Sequence, residues 1–157
     1  MMNGARDGMW VLLVEDNPGD VELALEYFES SGNADALHVA RDGEDALRRL
    51  ERAARDGLPR LIILDLNLPG ISGMEALTAI KGDDRFCHIP VIVFSASENR
   101  SDICNSYRNN ANCYITKPMD FDEYARVFQS IETFWFHTAK LPGGGSHERT
   151  AHQVIAD

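Results

Sequence analysis

Five polar or charged side chains stand at the ends of short apolar runs of the sequence: Glu15, Asp16, Asp65, Ser95 and Lys117. Three of them are carboxylates, which repel one another and raise one another's pKa when they lie together without a cation. A hard divalent ion with oxygen ligands relieves that repulsion. Mg²⁺ is suited to the task because it uses few carboxylates and keeps waters for a phosphate ligand. These residue types favour a magnesium site that contains a carboxylate nucleophile.

The hydroxyl and the ammonium complete a set of groups for phosphoryl transfer. Asp65 would be the nucleophile, Ser95 a hydroxyl donor and Lys117 a cation. Catalysis of phosphoryl transfer is mostly positioning and charge stabilisation, so the set suits formation of an aspartyl phosphate. The backbone carbonyl of Asn67 offers the metal a further oxygen, and Pro118 is a candidate for a special turn with a cis bond.

The apolar pattern predicts the strands and helices that would bring these side chains together. Strands are expected at residues 10–14, 37–40, 61–64, 91–94 and 113–116, and helices at about 18–30, 44–56, 72–81, 98–109 and 121–138. The first, third and fourth strands are continuously apolar, which indicates a parallel sheet covered by helices on both faces. Successive βα units with right-handed crossovers predict a doubly wound α/β sandwich around a five-stranded parallel sheet. In the strand order 2-1-3-4-5, the carboxyl ends of strands one and three are neighbours, and ligands gather there.

Apolar residues at helical spacing predict the buried face of each helix. In the first helix these are Val21, Leu25 and Phe28, and in the second Ala46, Leu47, Leu50 and Ala54. In the third they are Met74, Leu77 and Ile80, and in the last Phe121, Tyr124, Phe128, Ile131 and Trp135. Phe134 and Phe136 point partly elsewhere, so they either pack under Leu141 and Pro142 or contact a second copy of the chain.

The length and the charge of the chain limit the classes of protein to which it can belong. The chain has 157 residues, which suits one domain, and 15 basic against 25 acidic side chains give a net charge of −10. This balance argues against sequence-independent binding to DNA. No apolar run approaches the roughly 18 residues that cross a bilayer, and three cysteines are a poor disulfide framework, so we expect a cytoplasmic protein without a membrane partner. We expect an extension at residues 1–8, one domain at 9–138 and a mobile, Gly-rich tail at 139–157.

Four motifs together resemble those of the response regulator receiver domain, the phosphoacceptor half of bacterial two-component signalling. They are VEDNP at 14–18, LDLNLPG at 64–70, FSA at 94–96 and YITKP at 114–118. The resemblance covers residues 9–138 and implies a flavodoxin-like, three-layer fold. It implies that Asp65 is the phosphoacceptor, that Glu15 and Asp16 hold Mg²⁺, and that Ser95 and Lys117 contact the phosphoryl group.

The same resemblance implies a switch rather than an enzyme that turns over a separate substrate. A sensor histidine kinase would phosphorylate the chain, which would catalyse only its own phosphorylation and dephosphorylation. Tyr114 takes the position of an aromatic switch that turns inward when Ser95 moves toward the phosphate. The surface of the fourth helix, fifth strand and fifth helix would then change its binding preference. Asn67 and Ser97 flank the expected path of the hydrolytic water.

A narrower resemblance concerns the partner. Residues 15–20, 112–118 and 134–136 are similar to those of stand-alone regulators paired with cyanobacterial-type phytochromes, which are light-sensing histidine kinases. This similarity implies a phytochrome-type kinase, with another sensor kinase as the alternative. It also implies a homodimer through the fourth helix, fifth strand and fifth helix.

Three other functions fit parts of the pattern. A haloacid dehalogenase-type phosphatase also uses an Asp after a strand with Mg²⁺, but it would want an acid where this chain has Asn67, and a cap domain. A flavodoxin-like electron carrier needs a Ser/Thr/Gly-rich loop after the first strand, where this chain has acids. An interaction module that never uses its pocket would not respond to a phosphate mimic.

Overall fold

The structure, a computed structural model, describes residues 9–142, in which strands and helices alternate along the chain. The strands are β1 (Val11–Val14), β2 (Leu37–Ala40), β3 (Leu61–Leu64), β4 (Val91–Ser95) and β5 (Cys113–Thr116). The helices are α1 (Pro18–Ser30), α2 (Gly43–Asp56), α3 (Gly73–Lys81), α4 (Arg100–Arg108) and α5 (Phe121–Glu132), which a π-helical turn (Thr133–Thr138) continues. The predicted extension at 1–8 and the tail residues 143–157 lie outside the described part of the chain.

One parallel sheet carries the strands in the order β2-β1-β3-β4-β5, which confirms the predicted topology. Val14 at the end of β1 lies opposite Leu64 at the end of β3. The Asp65 amide continues this pairing by donating to the carbonyl of Val14 at 3.0 Å. The acids that follow β1 and β3 therefore leave the sheet side by side.

An apolar core covers each face of the sheet. Alternate strand residues contribute to the two cores, so that Leu12 and Val14 lie in one and Val11 and Leu13 in the other. The first core also contains residues of α2 and α3, and the second contains residues of α1 and α5. Burial on both faces explains the continuous apolar runs, since each large aliphatic side chain contributes about 1.5–3 kcal/mol when it is fully buried.

Side-chain caps begin the helices soon after the polar strand ends. Asn17 Oδ1 accepts from the Asp20 amide at 3.0 Å at the start of α1, and Asp120 Oδ1 accepts from the Glu123 amide at 2.9 Å at the start of α5. Such caps satisfy amides that lack a partner within the helix. They keep the connections from β1 and β5 short, which positions the side chains in those loops.

Three predicted core positions are wrong, although the other predicted residues of the same helices face the core. Leu25 is 44% exposed and Phe121 is 52% exposed, and Ala54 is also exposed. The neighbours Ala24 and Ala53 are buried instead. Successive helical residues differ by about 100° in direction, so small alanines that face the core turn the adjacent residue outward.

Two helix ends also differ from the prediction. α4 begins at Arg100 rather than residue 98, because the Ser97 hydroxyl accepts from the Asn99 amide and holds the loop before it. The last helix is α-helical only to Glu132. None of the helices in residues 9–142 is long and apolar enough to span a membrane.

The π-helical turn adds Phe136 to the predicted Trp135 among the aromatic residues that face the core. The Ala139 amide donates to the carbonyl of Phe134 at 2.7 Å, across five residues instead of four. Trp135 and Phe136 both pack against the second core, with the Arg60 guanidinium 5.6 Å from the centre of the Phe136 ring. Phe134 is 50% exposed.

Candidate functional site

A cavity of about 670 Å³ opens at the carboxyl ends of the strands, at the place where the sequence predicts chemistry. Its polar lining residues are Asp16, Asn17, Asp20, Asp65, Asn67, Glu98, Thr116 and Lys117. The fold thus brings together residues that are far apart in the sequence. Of the predicted site residues, Asp16, Asp65, Asn67, Lys117 and Pro118 line this cavity.

The side chain of Lys117 lies among three carboxylates. Its Nζ is 2.7 Å from Asp20 Oδ2, 2.9 Å from Glu15 Oε1 and 3.3 Å from Asp65 Oδ2. Glu15 is 1% exposed and Asp65 is 5% exposed, so these ion pairs are shielded from water. The Lys117 amide also donates to the carbonyl of Ser95 at 2.8 Å, which fixes where the lysine leaves the sheet.

One ammonium among three carboxylates leaves the site with a surplus of negative charge. Burial raises the pKa of Glu15 to about 7, against the lowering effect of its hydrogen bond from Lys117. Burial alone would lower the pKa of Lys117, but the hydrogen bonds to Asp20 and Glu15 raise it above its ordinary value. Lys117 is therefore charged at neutral pH, and the surplus negative charge favours an additional cation.

The donor atoms at the cavity fit a hard divalent cation. Asp16 and Asp65 line the cavity with carboxylates, and Asn67 lies beside them. The carboxylate of Glu15 binds Lys117 and accepts from the Asn17 amide at 3.1 Å. In residues 9–142, no group of three Asp, Glu, His or Cys side chains is already arranged around one metal position. Oxygen ligands of the kind that a divalent cation prefers are therefore present. The ammonium of Lys117 lies between the carboxylates of Glu15, Asp20 and Asp65.

The predicted switch residues are joined by hydrogen bonds through Ser97. The Ser95 Oγ accepts from the Ser97 amide at 3.2 Å, and the Tyr114 hydroxyl donates to the Ser97 carbonyl at 2.8 Å. Ser95 is buried, whereas Tyr114 is partly exposed and packs against the first core. The Ser97 hydroxyl donates to Asp102 Oδ2 of α4 at 2.6 Å. A displacement of the loop after β4 would therefore act on both α4 and β5.

The predicted cis bond at Pro118 is wrong, since the described residues contain no cis peptide bond. Pro118 lies in the wall of the cavity after β5. The trans form is the preferred form of a bond before proline, and the chain continues from it through Met119 to Asp120, the cap of α5.

Two residues of the site, Asp20 and Tyr124, were not predicted from the sequence. Asp20 binds Lys117 through Oδ2, and its Oδ1 accepts a short hydrogen bond from the Tyr124 hydroxyl at 2.5 Å. An acid in the first turn of a helix is ordinary, and Tyr124 fits a core stripe, so neither pattern singled them out. The feature of the sequence that could have identified this pair is the hydroxyl of Tyr124, because a tyrosine in a predicted core stripe needs a hydrogen-bond partner for its hydroxyl.

Relatives of known type cover most of the chain. Response regulator Rcp1 of Synechocystis sp. is 38% identical over 135 residues, which are 84% of this chain and 92% of that protein. The probable methanogenesis regulatory protein FilR2 of Methanothrix harundinacea is 36% identical over 141 residues, which are 88% of this chain and 91% of that protein.

Solved structures agree with these relatives in fold. The phosphorylated cyanobacterial phytochrome response regulator RcpA matches with a TM-score of 0.80 at 40% identity, over 86% of this chain and 99% of that one. The Mn²⁺-bound form of Rcp1 matches with a TM-score of 0.77 at 36% identity, over 86% of this chain and 99% of that one. A divalent metal thus occurs in a relative with the same fold.

The family model of the response regulator receiver domain matches residues 11–129. That span runs from the first residue of β1 into α5 and contains all of the predicted site residues. The parallel order of the strands, the acids after β1 and β3 and the lysine after β5 agree with this match. The chain belongs to the response regulator receiver domain family.

Proposed function

We propose that the chain is the phosphoacceptor of a two-component system and that Asp65 receives the phosphoryl group. The observation that carries the proposal is the position of Asp65, which is almost buried at the cavity with Lys117 Nζ 3.3 Å from its Oδ2. A shielded carboxylate beside a fixed cation suits attack on a phosphoryl group, whose charge must be stabilised during transfer. The receiver unit would extend over residues 9–138.

In the transfer, a carboxylate oxygen of Asp65 forms a bond to phosphorus. The bond between phosphorus and the donor nitrogen of a phosphohistidine breaks, and the imidazole keeps the electron pair and takes up a proton. A bound Mg²⁺ would neutralise the charge of the phosphoryl oxygens, and the candidates to hold it are Glu15, Asp16, Asp65 and the backbone carbonyl of Asn67. Lys117 would hold a phosphoryl oxygen.

The new charge would change the surface around α4, β5 and α5. Ser95 would move to the phosphoryl group, and Tyr114 would follow because both are bonded to Ser97. Hydrolysis of the acyl phosphate would reset the switch, with Asn67 and Ser97 beside the path of the water. The role in signalling is that of a substrate and a switch, with no turnover of a separate substrate.

The donor is a sensor histidine kinase, and the similarity to RcpA, a phytochrome response regulator, supports a phytochrome-type kinase. The family match disfavours both the phosphatase and the electron carrier as alternatives. The cysteines Cys87, Cys104 and Cys113 are all free, which supports action in the reducing cytoplasm.

We also propose a homodimer through α4, β5 and α5. Three large aromatic side chains in or next to these elements are exposed: Tyr107 of α4 at 49%, Phe121 of α5 at 52% and Phe134 of the π-helical turn at 50%. Phe134 borders a shallow cavity of about 450 Å³ that is otherwise lined by α5 and the π-helical turn. Aromatic residues in such positions are frequent in interfaces between protein chains.

The test is the intact mass of the protein after incubation with Mg²⁺ and acetyl phosphate. Wild type should gain one phosphoryl group only when Mg²⁺ is present, and Asp65→Asn should gain none. Asp84→Asn, which changes an exposed acid after α3, is the matched control and should behave like wild type. A phosphorylated phytochrome kinase serves as the second donor. Full labelling of Asp65→Asn, or no labelling of wild type from either donor, would contradict the proposal.

A further inference from the structure

Asp20 joins the lysine of the site to helix α5. Its two carboxylate oxygens have different partners: Oδ2 binds Lys117 Nζ at 2.7 Å, and Oδ1 accepts from the hydroxyl of Tyr124. The side chains of Asp20 and Lys117 are 22% and 10% exposed, so water competes weakly for this pair. Asp20 is therefore the link between the ammonium and an α5 residue.

The ammonium lies closer to Asp20 than to the phosphoacceptor. Lys117 Nζ is 2.7 Å from Asp20 and 3.3 Å from Asp65, so the pairing with Asp20 has the better hydrogen-bond distance. If Lys117 is to hold a phosphoryl group on Asp65, it must give up part of its pairing with Asp20. The Asp20–Lys117 ion pair consequently stabilises the unphosphorylated protein relative to the phosphorylated one.

Tyr124 can remain bonded to Asp20 when the lysine leaves. Its ring is 4% exposed and packs edge-on against Phe94 and tilted against Phe128, with ring centres 5.5 and 5.7 Å away. These contacts hold the hydroxyl at Asp20 independently of Lys117. A partly buried carboxylate that loses its cation is costly unless another donor satisfies it. The hydroxyl is that donor, so its hydrogen bond matters more in the phosphorylated protein.

We propose that Asp20 and Tyr124 are positioning residues that decide whether Lys117 binds Asp20 or the phosphoryl group on Asp65. Asp20 favours the unphosphorylated protein, and Tyr124 favours the phosphorylated one. This inference rests on the proposed role of Asp65 as phosphoacceptor. It assigns opposite effects to two residues that are bonded to each other. A contribution to folding alone would not produce opposite signs.

The variants Asp20→Asn and Tyr124→Phe separate these effects. The amide of Asp20→Asn would keep an oxygen for Tyr124 but lose the charge that holds Lys117, so affinity for a phosphoryl mimic should rise about three- to tenfold. Tyr124→Phe keeps the ring contacts but leaves Asp20 without a protein donor once Lys117 moves, so affinity should fall by a similar factor. With Asp20→Asn already present, Tyr124→Phe should have little effect, because no bare carboxylate remains.

The experiment measures binding of beryllium fluoride with Mg²⁺ by ¹⁹F NMR, alongside the rate of phosphorylation by acetyl phosphate. Tyr27→Phe is the matched control for the hydroxyl, because Tyr27 also donates to a carboxylate, that of Glu132 at 2.8 Å, and also stacks on Phe128. Glu22→Gln is the control for charge, because this exposed acid lies in the same helix as Asp20. Both controls should bind the mimic like wild type.

Opposite shifts for Asp20→Asn and Tyr124→Phe, with the loss abolished in the double variant, support the inference. Reduced affinity in both single variants, or no change for Tyr124→Phe, overturns it while leaving the proposed function intact if wild type is labelled and Asp65→Asn is not. A gain for Glu22→Gln equal to that of Asp20→Asn overturns it too, since general charge repulsion then explains the result. Absence of any adduct on wild type overturns both proposals.

Discussion

At the scale of single residues, Gly73 decides how closely α3 approaches the backbone of Asp65. A Cβ atom at position 73 would lie 2.2 Å from the carbonyl oxygen of Asp65 and 2.5 Å from Cα of Leu66. The Gly73 amide donates to the carbonyl of Leu66 at 3.0 Å, which closes the loop after β3. Both close neighbours are backbone atoms, so a side chain at this position would displace the segment that carries the phosphoacceptor.

The variant Gly73→Ala should lower the free energy of unfolding by roughly 3 kcal/mol, because the added methyl group overpacks this contact. It should also slow phosphorylation by acetyl phosphate, since Asp65 would shift. Urea unfolding and intact-mass time courses measure the two effects.

Gly32→Ala is the control for this substitution. Gly32 has a φ of 82° and open space around it, so alanine there would cost roughly 1 kcal/mol in backbone strain without touching the site. Its rate of phosphorylation should equal that of wild type. An equally slow Gly32→Ala would show that lost stability, rather than the position of Asp65, controls the rate.

At the scale of elements, Glu132 at the end of α5 forms hydrogen bonds with α1 and with the loop that follows α1. Its Oε1 accepts from the Tyr27 hydroxyl at 2.8 Å, and its Oε2 accepts from the Asn33 amide group at 2.8 Å. Glu132 is also the last α-helical residue before the π-helical turn. These bonds hold the point at which the register of the helix changes.

Tyr27→Phe should lower the free energy of unfolding by about 1 kcal/mol, because Glu132 loses one of its donors. Burial, together with the hydrogen bond to Glu132, raises the pKa of Tyr27 to about 12 from its ordinary value of 10.0. Since the folded-state pKa is the raised one, the contribution is complete below pH 10.0 and is lost as the pH rises through about 12. The difference between wild type and variant in urea unfolding should therefore be constant below that range and shrink within it. A difference that grows at alkaline pH would contradict this assignment.

Sequence patterns predicted the elements better than their exact faces. Strand runs are unambiguous because both faces of the sheet are buried, as in Leu61–Leu64. Which residues of a helix face the core also depends on how closely the helix packs against the sheet. The sequence alone does not show that the small Ala24 is buried there while the adjacent Leu25 is exposed. The predicted stripe of the last helix holds for Tyr124, Phe128 and Ile131. Trp135 also packs against the second core as predicted, but Phe136 does so too, because the π-helical turn changes the register of the helix after Glu132.

At the scale of the whole molecule, the proposed dimer depends on exposed aromatic residues at the end of α5. Phe134 is 50% exposed and makes an edge-on ring contact with Trp135, whose centre is 5.0 Å away. Trp135 itself packs against the second core, so it holds the neighbouring Phe134 in a fixed place. A rigid aromatic group on the surface is suited to contact with a second copy.

Phe134→Ser should weaken self-association about tenfold, because a central aromatic contact commonly contributes more than 1 kcal/mol to binding. Sedimentation equilibrium with and without beryllium fluoride measures the dissociation constant in both states. Leu25→Ser is the control, since Leu25 is 44% exposed on α1, outside the proposed interface. Equal dissociation constants for Phe134→Ser and wild type would place the interface elsewhere or exclude a dimer.

The sequence by itself predicted the strands and the acids, hydroxyl and lysine at their ends, and its motifs implied the family and the strand order that goes with it. It could do so because polar residues that interrupt buried strands stand out against the apolar runs around them. Only the tertiary structure decided that Lys117 binds Asp20 more closely than Asp65, and that Tyr124 completes this pair. These partners lie 97 and 104 residues from Asp20 along the chain. Their contact depends on how α1 and α5 pack on the same face of the sheet, which local periodicity does not specify.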